Sequence, residues 1–347
     1  MSFTVELAER GWLPDAVLRW GMRRLLAQRL RDSVPKNGGG RAAQNRQLAA
    51  ELCAGPIAVQ TAAANEQHYE VPARFFELIL GPRLKYSGCL YPPGVSDLAA
   101  AEEEMLRLTC ARGEIADGQR ILELGCGWGS LSLWLAEHYP HAAITGVSNS
   151  HGQRAFIMAR AQARGLKNLS IITADINDFV PTGQFDRVVS VEMFEHLRNH
   201  ELLLKRIAEW LQPEGLLFVH HFCHRDAAYL FEETGPAASG QNWMTRHFFR
   251  GGIMPSADWL SHFDRHLKLR RQWLVDGKHY CRTLLAWLKN LDERRAEIVP
   301  LLAATYGPGA APRVLQRWRM FILACAELFG YADGTEWQVG HYVLEKV

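Results

Sequence analysis

The segment Ile121–Ser130, ILELGCGWGS, constrains the fold more than any other stretch of the chain. An apolar strand, Arg120–Leu124, runs into glycines at alternate positions, Gly125, Gly127 and Gly129, and then into a helical sequence that begins at Ser130. Glycines in such a place let the backbone turn tightly and approach a ligand closely. Dinucleotide sites open in the same way, but here the spacing is G-x-G-x-G, and Glu123 stands two residues before the first glycine. A carboxylate at that point repels a pyrophosphate and attracts an ammonium group. The loop therefore reads as the site of a nucleoside that carries an amino acid. A purely structural glycine turn is the alternative.

The surrounding order supports the ligand reading. Ala142–Val147 reads as a strand, Gly152–Arg164 as a helix, Leu169–Thr173 and Phe185–Val191 as strands, Glu201–Leu211 as a helix and Leu216–Phe222 as a strand. This alternation predicts an α/β fold, a doubly wound and mostly parallel sheet with helices on both faces. His266–Leu274 and Trp337–Leu344 bring the sheet to seven strands. The organisation expected is a helical extension over residues 1–65, broken by a flexible turn at Pro35–Gly40, and a helical lead-in over 66–118 that covers the ligand site. The core follows over 119–223, and a helical substrate-side insertion with the last strands fills 224–347. That insertion is rich in aromatics and falls near the carboxyl ends of the strands, where such sheets bind ligands.

With a formal charge of +2 over 347 residues, the chain offers no electrostatic case for nucleic acid. The basic run Arg19–Arg31 reads first as a solvated helix face and second as a lipid or partner contact. No segment reaches the roughly 18 apolar residues of a membrane-crossing helix, so stable membrane insertion is not expected. Seven scattered cysteines suit a reducing cytoplasm and lack metal-ligand spacing.

Candidate site residues cluster at strand ends. Asn149 and Gln153 follow the second strand and are able to bond ribose hydroxyls. After the third, Asp175 suits an adenine amine, or else caps a helix, and Ile176 packs on the ring. The fourth strand closes on Glu192-x-x-Glu195-His196. Two acids and a histidine there exceed what a turn cap requires and suit proton transfer. His220, His221, Cys223 and His224 alternate in direction along a strand, which argues against a metal site.

Together with YSGCLYPPG, TGVSNS and VEMFEH, these stretches resemble the cyclopropane fatty acid synthase superfamily of S-adenosylmethionine-dependent methyltransferases. Within it the chain is most similar to the coclaurine N-methyltransferase branch, over nearly its whole length. The resemblance implies a Rossmann-like class I methyltransferase fold with S-adenosylmethionine as cofactor and S-adenosylhomocysteine as product. It implies that Tyr86, Ser87, Gly125, Gly127, Asn149, Gln153, Asp175 and Ile176 line the cofactor site. Glu192, Glu195 and His196 would form the catalytic cluster, with Trp318 and Phe321 along the substrate pocket. The lipid-modifying branch carries a bicarbonate site. Glu195, His220 and Tyr280 match its positions, but Gly88 replaces a cysteine, which comes one residue later as Cys89, and Phe222 replaces an isoleucine. Cys325 matches a cysteine sometimes assigned as catalytic in that branch; a buried small apolar residue is the alternative, since methyl transfer needs no covalent intermediate.

The leading expectation is methyl transfer to the nitrogen of a small amine, an aromatic one included, with Glu192 holding the ammonium and Glu195 or His196 taking its proton. Transfer to a lipid acyl double bond is the second reading, and a non-catalytic cofactor-binding protein the third. A homodimer is compatible with all three.

Overall fold

The computed structural model describes residues 3–33, 40–59, 71–233 and 241–347. The turn expected over residues 35–39 and the end of the helical extension, residues 60–65, lie outside these; Gly40 opens a helix.

The central sheet contains β1 (Arg120–Leu124), β2 (Ala143–Ser148), β3 (Leu169–Thr173), β4 (Phe185–Val191), β5 (Leu211–His224), β8 (Leu267–Val275) and β9 (Trp337–Lys346). A separate small ribbon pairs β6 (Tyr229–Leu230) with β7 (Ile253–Met254). The sheet order is β3-β2-β1-β4-β5-β9-β8, with β1 to β5 parallel and β9 antiparallel to both neighbours. This is the seven-stranded, mostly parallel sheet that the alternation predicts. One strand is longer than its apolar pattern: Leu211 already pairs with Phe185, across a register shift, ahead of Pro213 and Gly215.

Both faces of the sheet are covered, so its strands read as nearly continuous apolar runs. Along β1, Ile121 packs to one face with Val189 and Phe218, while Leu122 and Leu124 pack to the other with Val188 and Leu217. From β1 the chain winds outward to β2 and β3, then returns to β4 on the other side. The crevice between the carboxyl ends of β1 and β4 is the switch point at which such sheets hold ligands.

The N-terminal side supplies α1 (Phe3–Glu9), α2 (Asp15–Asp32), α3 (Gly40–Leu52), α4 (Ala73–Ile79) and α5 (Leu98–Arg112). The core helices are α6 (Ser130–His138), α7 (His151–Ala163) and α8 (His200–Trp210); α9 (Gln241–His247), α10 (Gly277–Glu293), α11 (Arg295–Tyr306) and α12 (Ala311–Phe329) follow. On α10, Tyr280, Leu284, Trp287, Leu288 and Leu291 form the buried stripe of an amphipathic helix. It packs on α12, whose Trp318 meets Phe75 and Phe76 of α4 at ring distances of 5.0 and 5.8 Å.

The basic run of α2 leaves Arg23, Arg24 and Arg31 exposed and Arg19 and Arg29 half-buried. Arg19 lies 2.5 Å from Glu327 of α12, and Arg23 pairs with the other oxygen of the same buried carboxylate. Asp15 pairs with Arg319, and Glu9 with Arg317 and the indole of Trp243. These ion pairs clamp the N-terminal helices onto α12, and burial makes loss of Glu327 costly because two guanidiniums lose their partner. Among the described residues no helix is long and apolar enough to cross a membrane.

Candidate active site

All three loop glycines adopt positive φ, at +78°, +51° and +81° for Gly125, Gly127 and Gly129. A Cβ on Gly125 would come within 2.9 Å of Met193, and one on Gly129 within 2.7 Å of Ile157. A Cβ on Gly127 would meet nothing within 4 Å, because it points into open space. Two of these glycines are thus required by packing, and the middle one keeps a cradle clear.

That cradle joins two cavities. One is lined by Ser148, Asn149, Asp175 and Ile176, and the other by Tyr86, Ser87, Glu123, Tyr280, Phe321 and Cys325. Gly125, Gly127, Gln153, Glu192 and His196 border both. Gln153 is buried, with its Oε1 accepting from Ser148 Oγ at 2.6 Å and its Nε2 without a protein partner. Asp175 accepts the Asn177 N–H at 2.9 Å, so it caps the turn and faces the cavity together. Glu123 accepts from the Ser132 hydroxyl, and burial pushes its carboxyl up to about 7 against the pull of Ser132 and Lys85. An acid at one end, open backbone in the middle and polar side chains at the other suit an amino-acid-bearing nucleoside.

Glu192 stands where the cavities meet. It follows β4 with φ +48°, and its N–H donates to His220 O at 2.7 Å. Its Oε1 accepts from Gly88 N at 2.9 Å and lies 3.2 Å from His220 Nε2, while its Oε2 accepts from the Tyr280 hydroxyl at 2.6 Å. Burial raises the Glu192 carboxyl, and Lys85, Tyr280 and the Gly88 N–H oppose it. Burial and the same carboxylate hold the Tyr280 phenol well up, so it stays a donor.

The other cluster residues part company. His196 borders both cavities, with its ring parallel to that of Phe249 at 5.6 Å. Glu195 is fully buried and reaches neither cavity. One of its oxygens accepts from Phe222 N at 2.7 Å, and the other has no partner. Burial and the charge of Glu192 push Glu195 well up, toward the neutral acid.

Cys325 lines the cavity as a half-buried thiol, its value raised by desolvation and by Glu192. Phe321 reaches the cavity, whereas Trp318 stays in the core among Phe75, Phe76 and Phe248. His220 lies behind Glu192, and His221 points oppositely onto Tyr342 with ring centres 4.6 Å apart. His224 accepts from the backbone of Asp226 and Ala227.

Several wall residues escape a motif search: Lys85, Phe249 and Trp287. Only Lys85 leaves a signal, as a cation directly before Tyr86 and Ser87. It is buried, and its ammonium donates to Ser87 Oγ at 2.5 Å and to Gly88 O at 2.8 Å.

Comparison with known proteins finds relatives along nearly the whole chain. The family described as mycolic acid cyclopropane synthetase matches residues 58–339. The (S)-coclaurine N-methyltransferase of Thalictrum flavum subsp. glaucum is 36% identical over 342 residues, covering 97% of this chain and 94% of that protein. The cyclopropane-fatty-acyl-phospholipid synthase of Escherichia coli K12 is 28% identical over 276 residues, 79% of this chain and 66% of that one. A crystal structure of coclaurine N-methyltransferase bound to N-methylheliamine and SAH superposes with a TM-score of 0.95 at 33% identity, covering 99% of each chain.

Proposed function

The chain belongs to the mycolic acid cyclopropane synthetase family and is an S-adenosylmethionine-dependent methyltransferase, and we propose that its acceptor is the nitrogen of a small amine with an aromatic ring. The observation that carries this reading is the Glu192 carboxylate, turned into the junction of the two cavities and held by three donors.

Bound S-adenosylmethionine supplies a methyl group already activated by its sulfonium. Glu123 would hold its ammonium, Asn149 and Gln153 its ribose, and Asp175 and Ile176 its adenine. What remains for the protein is alignment and one proton. An alkylamine, with a pKa near ~10, reaches the site as an ammonium without a lone pair. Glu192 attracts that ammonium by charge. His196, on the same junction, takes the proton. Phe222, Phe249, Trp287 and Phe321 wall the cavity with aromatic rings, which suits a flat cationic substrate. Glu195 is assigned to the frame rather than to the proton, since its carboxyl is pushed toward the neutral acid by burial, set back and bonded to the β5 backbone. Free cysteines throughout the described residues support a reducing compartment such as the cytoplasm.

The test is incubation with methyl-labelled cofactor, a panel of benzylic and tetrahydroisoquinoline amines, and phospholipid vesicles. Label in the amine pool is expected. Label confined to lipid would overturn the reading in favour of methyl transfer to an acyl double bond, and label in neither pool would overturn it in favour of an acceptor of another class.

A further inference from the structure

Behind Glu192, away from the cavity, its hydrogen bonds continue in line through three more side chains. His220 Nδ1 lies 3.0 Å from His341 Nε2, and His341 Nδ1 lies 2.8 Å from a terminal nitrogen of Arg112. His220 and His341 sit directly opposite each other on β5 and β9, and both are fully buried. Arg112, the last residue of α5, stacks its guanidinium 4.8 Å from the ring centre of Trp273 on β8.

Hydrogen-bond chemistry gives this row a single direction. A guanidinium only donates, and it keeps its proton in proteins. His341 Nδ1 must therefore accept, which places the His341 proton on Nε2. That proton is donated to His220 Nδ1, and by the same step the His220 proton sits on Nε2 and is donated to Glu192 Oε1. The opposite tautomer of either ring would set two lone pairs face to face. Nor does the row conduct protons outward, because its outer member does not release one.

Two neutral imidazoles alone have no preferred sense; the fixed donor at the end supplies it. The hydrogen bonds of the neighbouring polar groups run to other partners. Glu195 accepts from Phe222 N, His221 bonds Phe222 O, and Lys85 donates to Ser87 and Gly88.

We propose that Arg112 and His341 are positioning residues that lock His220 as an Nε2–H donor and so keep the Glu192 carboxylate aimed at the substrate nitrogen. The inference rests on the amine reading for its kinetic effect, but the tautomer itself does not.

The experiment uses the full chain with S-adenosylhomocysteine bound. In two-bond proton–nitrogen spectra of histidine-labelled protein, wild-type His220 should show one tautomer, protonated at Nε2, with its signals assigned by their loss in His220→Gln. Arg112→Leu and His341→Leu should each raise the amine KM about tenfold while kcat and S-adenosylhomocysteine affinity stay within about twofold. His341→Gln, whose carbonyl accepts from Arg112 and whose amide donates to His220, should restore the wild-type KM to within about twofold. A wild-type His220 protonated at Nδ1 or mixed between tautomers overturns the proposal. So does an unchanged KM in both leucine variants, or a glutamine variant no better than leucine. Should wild type methylate no amine, the functional reading fails while the His220 spectrum still decides the relay.

Discussion

The Tyr280 hydroxyl reaches from the first turn of α10 to the end of β4 and donates to Glu192 Oε2 at 2.6 Å. It ties the helical cap to the sheet at the point where the methyl acceptor is held. Tyr280→Phe removes only that hydroxyl and keeps the ring, which stacks on Phe329 with centres 4.3 Å apart. A hydrogen bond to a charged group contributes about 1.5–3 kcal/mol, so kcat/KM for the amine should fall about 10- to 100-fold. Affinity for S-adenosylhomocysteine, measured by calorimetry, should hold. A fall of less than about threefold would show that the hydroxyl does not set the carboxylate.

Bicarbonate should be without effect. The side chains of His220 and Tyr280, which match the lipid branch's bicarbonate site, and the backbone of Gly88, which replaces that branch's cysteine, all grip the carboxylate of Glu192 here. The protein's own side chain fills the place of a small anion. Turnover in bicarbonate-depleted buffer should therefore equal turnover after bicarbonate is added back. Glu192→Gly is the complementary test, since φ +48° strains glutamate and suits glycine. That variant should lose most amine methylation, and added acetate or bicarbonate should restore part of it. Strong stimulation of the wild type by bicarbonate would count against the idea.

The fold was readable because strands buried on both faces announce themselves as apolar runs, and because the strand–loop–helix at residues 120–138 leaves few topologies open. Residues at strand ends, such as Asn149, Asp175 and Glu192, were readable for the same reason: the sheet decides which ends share a crevice. Side-chain direction within a turn was not. Phe194–His196 forms a single 3-10 turn, in which adjacent residues diverge by about 120°, so His196 faces the cavity and Glu195 the core. Likewise Trp318 and Phe321 lie three apart on α12, yet packing of α4 absorbs only the first. Arg112 and His341 are 229 residues apart and form no local pattern, so only the assembled fold brings them together.

Cofactor binding should weaken in acid. With its carboxyl pushed up to about 7, Glu123 is an anion above that pH and neutral below it. S-adenosylhomocysteine should bind less tightly at pH 6 than at pH 8, by up to about tenfold per unit below the titration. Glu123→Gln should bind weakly at pH 8 and lose most of this dependence. The linkage to stability has the opposite sign. The folded value lies above the ordinary 4.5, so the ligand-free fold binds the extra proton and is favoured by it at low pH. That contribution should fade as pH rises from 4.5 to about 7, and Glu102, also pushed up to about 7 by burial, should add to it. Calorimetric midpoints across that range, with and without S-adenosylhomocysteine, check both signs.

The proton should leave through His196 and not through Glu195. His196 borders the junction of the cavities beside Glu192, whereas Glu195 is buried, raised toward its neutral form and bonded to the Phe222 N–H. A general base contributes about 10²–10⁴-fold, so His196→Ala should lower kcat by that order while cofactor affinity changes little. Its pH–rate profile should also shift, because bound ammonium must then lose its proton to water. Glu195→Gln preserves the oxygen that accepts from Phe222 and a neutral side chain of the same shape. It should keep kcat within about threefold, while Glu195→Ala, which orphans that buried N–H, should lower thermal stability by about 1–3 kcal/mol. Steady-state kinetics of the three variants separate the roles. A Glu195→Gln variant as inactive as His196→Ala, with a normal melting temperature, would return Glu195 to the chemistry and require its carboxylate to swing into the cavity when the amine binds.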